Sequence, residues 1–310
     1  MNADVPPDEN PGATDARAVR RHFARAAATY DGAAVLQREV GRRMAERLDV
    51  VKLAPAAILD AGCGTGDAQA ELALRYPDAR RVALDIALPM LGIATAKAGQ
   101  GRSAFARIFS AFTGGPGGGE ADFVCGDVAA LPFAGGSFDL AWSNLMLQWA
   151  GDLPAALREL GRVLRPDGLV TFSTFGPDTL RELRAAFTGI DHHMHVSRFT
   201  DMHDIGDMLV GAGFGDPVMH MELFTLTYAD APAMLRDLKA IGATNATQAR
   251  PRALMGRGRW ERALASLDAA RRDGRIPATY EVIYGHAWKV APQRTPEGDA
   301  IVAFRRRARG

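Results

Sequence analysis

Three glycines at alternate positions follow a short apolar run and a carboxylate in Ile58-Leu59-Asp60-Ala61-Gly62-Cys63-Gly64-Thr65-Gly66. Glycine permits a tight turn and lets backbone amides approach a ligand that a Cβ would hold off. The spacing is GxGxG, whereas a dinucleotide fingerprint runs GxGxxG and seats a pyrophosphate on a helix N-terminus. Asp60 would repel that pyrophosphate and attract a cation, so the loop favours a ligand with an ammonium group. A plain glycine-rich turn between strand and helix is the alternative.

A nucleoside ligand also needs acceptors at the ends of the neighbouring strands. Asp85 ends the run Arg81-Val82-Ala83-Leu84-Asp85-Ile86, 23 residues beyond Gly62, close to the spacing of a ribose-binding carboxylate. Its alternative is to cap the helix that begins near Pro89. Asp127 ends Cys125-Gly126-Asp127-Val128 and would accept from an adenine amino group, with Ile86 and Val128 on either side of the ring. Asn144, in Trp142-Ser143-Asn144-Leu145-Met146, would meet the opposite end of the ligand. S-adenosylmethionine joins adenosine to an ammonium group beside a sulfonium. Its expected site is therefore Asp60, Gly62, Cys63, Gly64, Gly66, Asp85, Ile86, Asp127, Val128 and Asn144.

Strands alternating with helices position these residues. Strands are expected at Ala56–Ala61, Arg81–Ile86, Phe123–Cys125, Phe138–Ser143 and Leu169–Thr174, and helices at Asp67–Tyr76, Pro89–Ala98 and Leu153–Leu164. That rhythm implies a doubly wound, mostly parallel Rossmann-like sheet with right-handed crossovers. Two helices precede it, near Ala16–Thr29 and Ala33–Leu48. After helices near Asp178–Phe187 and Asp201–Ala212, strands near Val218–Tyr228 and Thr279–Val290 bracket a helical excursion over 230–275, a lid above the carboxyl edge of a seven-stranded sheet. The domain plan is thus a disordered start at 1–14, N-terminal helices at 15–50, a catalytic α/β domain at 51–290 and a basic tail at 291–310. The Gly114–Gly119 run makes 99–120 a flexible insertion.

Composition excludes several classes. The chain has 310 residues and a formal charge of +1, so no overall field points to nucleic acid. No apolar run approaches the roughly 18 residues of a membrane span, and no signal-peptide core is present. Cys63 and Cys125 are the only cysteines, which fits a reducing cytoplasm and supplies no disulfide framework. His192, His193, His195 and His203 form the one metal-like cluster; without a cysteine they read as loop histidines, and no metal is expected. Charge is uneven locally: 15–43 carries seven arginines against Asp15, Asp31 and Glu39, and 250–275 eight against Glu261, Asp268 and Asp273. Solvated helix faces explain this, and so does a docking surface for an acidic partner.

The strand-end residues over about 50–175 resemble the class I S-adenosylmethionine-dependent methyltransferases. Motifs outside that core are more specific. Phe23-Ala24-Arg25-Ala26-Ala27-Ala28-Thr29-Tyr30-Asp31 with Leu36-Gln37 is similar to the N-terminal signature of the malonyl-acyl-carrier-protein O-methyltransferases of biotin synthesis. So are Gly126–Pro132, Ala141–Leu145 with Gln148-Trp149, Ala156–Leu160, Arg198-Phe199 and Leu238–Thr244. The insertion at 99–120 is longer than the family pattern. Phe175–Leu183 and Pro277–Tyr280 also look like the arginine hydroxylases that assist respiratory complex assembly, which keeps a protein hydroxylase or assembly factor open. A quinone-ring or other small-molecule methyltransferase is a further alternative.

The family resemblance implies transfer of a methyl group to the free carboxylate of a malonyl thioester, on acyl carrier protein or on coenzyme A. A carboxylate is ionised near neutral pH and needs no base; no activating pair is apparent in the sequence. Arg198 is the candidate fork for that carboxylate, with a surface ion pair as its alternative. Tyr30 is the candidate to close over the sulfonium methyl, with core packing as its alternative.

Overall fold

The computed structural model describes residues 14–100, 121–191, 193–248, 250 and 255–291. The expected disordered start, flexible insertion and basic tail lie outside these residues except at their edges.

Helix α1 (Ala16–Ala33) starts where the Asp15 carboxylate accepts from the Arg17 and Ala18 amides at 3.0 and 3.1 Å. Helix α2 (Val35–Arg47) follows after a single residue and buries Leu36, Val40 and Met44 at helical intervals. The alternating core then runs β1 (Ala57–Ala61), α3 (Ala68–Arg75), β2 (Arg80–Asp85), α4 (Leu88–Gln100), β3 (Ala121–Cys125), β4 (Phe138–Asn144), α5 (Leu153–Val163) and β5 (Leu164–Phe175). Helix α5 has Asp152 as cap and Pro154 in its first turn, and it buries Ala156, Leu157, Leu160 and Val163 against the sheet.

Helices α6 (Arg181–Phe187) and α7 (Met202–Gly211) lead to the long edge strand β6 (Phe214–Tyr228). Helices α8 (Ala231–Ala240) and α9 (Arg257–Ala269) form the excursion before β7 (Ile276–Lys289). The seven strands lie in the order β3-β2-β1-β4-β5-β7-β6, with only β7 antiparallel to its neighbours. The doubly wound, mostly parallel sheet expected from the alternation is present. Strand β1 pairs in parallel with both β2 and β4, so the strand order reverses there and a crevice opens beyond their carboxyl ends.

One boundary differs for a physical reason. The strand expected at Leu169–Thr174 begins earlier, at Leu164, because Leu164 already pairs with Phe138 before pairing resumes at Leu140 and Leu169, beyond Pro166-Asp167-Gly168. The three residues are a bulge, with Asp167 at φ +62°.

Candidate active site

The glycine loop closes the crevice at β1, and its three glycines have different jobs. The Gly62 and Cys63 amides donate to the Leu84 carbonyl at 2.7 and 3.0 Å, which turns the chain across the end of β2. Gly62 sits at φ +82°, and a Cβ there would lie 2.5 Å from Met146 Cβ. Gly64 faces Tyr30, whose Cε1 would stand 3.9 Å from an added Cβ, and its amide donates to Asp85 Oδ2 at 2.9 Å. Gly66 lets α4 close in, since a Cβ would stand 3.0 Å from Ala94 Cβ.

Above the loop is a partly enclosed cavity. Of the residues expected to hold the cofactor, Gly62, Gly64, Asp85, Ile86, Asp127, Val128 and Asn144 line it. Asp60, Cys63 and Gly66 do not. Cys63 is buried against Ala83 and Leu91, so its side chain is core. Asp60 is 2% exposed beneath the loop and accepts from Gln69 Nε2 at 2.6 Å. Burial pushes its carboxyl up to about 7, the Gln69 hydrogen bond opposes that, and the charges of Asp85 and Asp67 reinforce it. A cation arriving near Asp60 reverses this balance by favouring the carboxylate. Burial likewise raises Asp85, against the pull of backbone donors that include the Ala87 and Gly64 amides.

The opposite wall comes from α1. Ala16, Val19, Phe23 and Tyr30 face the glycine loop across the cavity. Of these, the sequence named only Tyr30 for the site; the helix expected near Ala16–Thr29 carried no sign that Ala16, Val19 or Phe23 would form a ligand wall. A polar clamp holds α1 down: Lys97 Nζ reaches Asp31 at 2.8 Å, Asp67 at 2.9 Å and Thr65 Oγ1 at 3.1 Å, and Thr65 donates to Asp31 at 2.6 Å. Burial works against the Asp31 charge, but the Lys97 and Thr65 hydrogen bonds hold its carboxyl below the usual range. Asn144 has a mainly structural set of bonds, donating to the Gln37 carbonyl at 2.9 Å and accepting from Ser173 Oγ at 2.8 Å. It ties α2 to the end of β4.

A second cavity adjoins the first, and Phe23, Tyr30, Leu145 and Trp149 line both. Its other polar lining is Gln37, Gln148, Thr179, Ser197, Thr244, Asn245, Tyr280 and His195. Gln148 is fixed by the Leu145 carbonyl at 2.6 Å and Thr174 Oγ1 at 3.2 Å. The excursion contributes Leu238, Ile241 and Ala243, so it covers this cavity as a lid would. Arg198 does not enter. Its neighbours Ser197 and Phe199 line the cavity, while Arg198 is exposed and lines a separate surface depression. His195 bonds to Asp191 at 2.8 Å, and the exposed His203 bonds to Asp201 at 2.8 Å. The motif segments shared with the hydroxylases brace one another, with Glu182 accepting from the Thr279 amide at 3.0 Å and Glu281 from the Asp178 amide at 2.7 Å.

A strand-end carboxylate on β2, a second after β3 and a glycine loop after β1 in this strand order define a class I methyltransferase. Residues 59–172 match the methyltransferase domain family. The fold is shared with the YcgJ protein of Bacillus subtilis (TM-score 0.55, 16% identity, 81% of this chain and 99% of that one). A Bacillus halodurans chain superposes similarly (TM-score 0.56, 16% identity, 81% and 100%). The cofactor is S-adenosylmethionine, and the site fits it: Gly62 and Gly64 form a cradle without Cβ atoms, and Asp85 and Asp127 face it with Ile86 and Val128. The malonyl-[acyl-carrier protein] O-methyltransferase of Gallionella capsiferriformans is 53% identical over 93% of this chain and 96% of its own length. That of a Methylovorus strain is 54% identical over 95% and 96%. The chain belongs to the malonyl-[acyl-carrier protein] O-methyltransferase family.

Proposed function

We propose that this enzyme transfers the methyl group of S-adenosylmethionine to the free carboxylate of a malonyl thioester on acyl carrier protein, early in biotin synthesis. The observation that carries the reading is the meeting of two cavities at Phe23, Tyr30, Leu145 and Trp149. The bound cofactor supplies an electrophilic methyl on a positively charged sulfur. Tyr30 stands at the junction, opposite Gly64, and burial raises its hydroxyl well above the usual range, so it presents a neutral phenol. Phe23 and Trp149, 5.3 Å apart edge to face, help to exclude water there.

The acceptor side suits a carboxylate that is already charged. Amide and hydroxyl groups of Gln37, Gln148, Thr244 and Asn245 can hold it without neutralising it, and no lysine or arginine lines the cavity among the described residues. A carboxylate oxygen gains the methyl, the carbon–sulfur bond gives its electrons to sulfur, and no proton moves. Alignment in a dry junction is then the main catalytic contribution of the protein. This needs no general base, unlike methylation of a quinone ring. The names of the relatives over nearly the whole chain also favour the carrier-bound malonyl group over a quinone or a protein side chain.

The docking surface for the carrier centres on α9, where Arg257, Arg259 and Arg262 are exposed with Arg257 beside Glu261 at 2.8 Å, and extends to the exposed Arg272. Arg250 is engaged with Asp15 at 2.9 Å, and Arg271 and Arg275 bond to local turn carbonyls. The test of the reaction is a labelled methyl donor with malonyl- and acetyl-loaded carriers. The malonyl carrier is expected to gain label that mild alkali releases as methanol. Label on the acetyl carrier, or alkali-stable label, would contradict the carboxylate assignment.

A further inference from the structure

The acceptor cavity has a second boundary, opposite the cofactor. His195 and Val196 line both that cavity and the surface depression that holds Arg198. His195 is fixed in this wall by Asp191 and by stacking on Phe187, with ring centroids 4.1 Å apart. The cofactor and acceptor cavities thus share Tyr30, and His195 with Val196 is the common wall between the acceptor cavity and the depression.

That depression is basic. Arg184 and Arg198 line it with His193. Asp191, the one acid among its described lining residues, is bound to His195 and to the His193 amide at 2.9 Å, and those bonds hold its carboxyl low against burial. Arg184 is pinned to the Pro177 and Thr179 carbonyls at 2.9 and 3.0 Å. Arg198 has no ion-pair partner among the described residues, and its guanidinium is free to take an anion. Trp260 of α9, 40% exposed, packs toward Phe187 at 6.4 Å between centroids, so the arginine-bearing helix borders the same mouth.

We propose that this depression is the entry port for the prosthetic arm of the carrier, with Arg198 binding the phosphodiester at its protein end. The thioester then passes His195 and Val196 to reach the acceptor cavity. This rests on the reaction proposed above and gives Arg198 a different anion from the malonyl carboxylate. A phosphate set at a fixed distance from the thioester is what distinguishes carrier-bound and coenzyme A thioesters from bare ones, and a guanidinium is well suited to it.

The test compares Arg198→Ala and Arg198→Glu with the unaltered enzyme on malonyl carrier protein, malonyl-coenzyme A and malonyl-pantetheine, which lacks the phosphate. Loss of one charge-assisted hydrogen bond should raise KM about tenfold for the two phosphorylated acceptors. KM for malonyl-pantetheine, kcat and cofactor affinity should stay unchanged, and Arg198→Glu should exceed Arg198→Ala. Equal effects on all three acceptors, no effect on any, or an effect on the carrier alone would overturn the port. Failure of the unaltered enzyme to methylate malonyl carrier protein would instead overturn the reaction.

Discussion

Replacing Gly62 with alanine tests the loop that builds the cofactor site. The residue lies at φ +82°, beyond the left-handed well, where an L side chain costs on the order of 1–2 kcal/mol. The added Cβ would stand 2.5 Å from Met146 Cβ and closer still to its Cγ, so Met146 or the loop must move. Overpacking of that kind costs about 1–3 kcal/mol. Together these predict a loss of about 2–5 kcal/mol, a large part of the usual stability of a domain. Gly64→Ala is the matched control. At φ +53° it stays inside the left-handed well, and its nearest neighbour would be Tyr30 Cε1 at 3.9 Å. It should lose about 1 kcal/mol of stability, yet bind cofactor about tenfold or more weakly, because its methyl enters the cavity. Urea unfolding gives the first quantity and calorimetric titration with S-adenosylmethionine the second. A Gly62→Ala protein as stable as Gly64→Ala would refute the assigned division of labour between the two glycines.

Two further outcomes are expected. Asp60 has its folded value near 7 against about 3.8 unfolded, so its neutral form stabilises the fold fully below about 3.8, and that contribution is lost as pH rises through about 7. Cofactor binding near pH 7 should therefore release a proton, seen as a buffer-dependent binding enthalpy; Asp60→Asn should abolish it, and persistence of the release in that variant would remove the assignment. Reversing Arg257, Arg259 and Arg262 to glutamate should raise KM for malonyl carrier protein in a salt-dependent way while sparing malonyl-coenzyme A. Equal losses for both acceptors would eliminate docking on α9.

The sheet was legible because buried parallel strands are short apolar runs and their helices carry clear caps, as at Asp152 and Asp15. Asp85 and Asp127 were legible because strand ends place side chains predictably at a reversal of strand order. Side-chain direction in irregular segments was not. Arg198 lies between two cavity residues but points outward, and no periodicity extends through 191–201 to show it. The glycine motif also merged two layers, since Gly62 and Gly64 line the cavity while Cys63 and Gly66 face the core. The roof contributed by Val19 and Phe23 depends on how α1 docks, and the Lys97 clamp that sets this joins residues more than 60 positions apart.

The central claim is that the two cavities deliver a methyl group to a carrier-bound malonyl carboxylate. Intact-mass measurement of malonyl carrier protein after incubation with enzyme and S-adenosylmethionine tests it most directly. The account predicts a carrier heavier by one methyl in place of a proton, with one S-adenosylhomocysteine formed per carrier modified. An unchanged carrier mass, with cofactor binding demonstrated in the same solution, would contradict it.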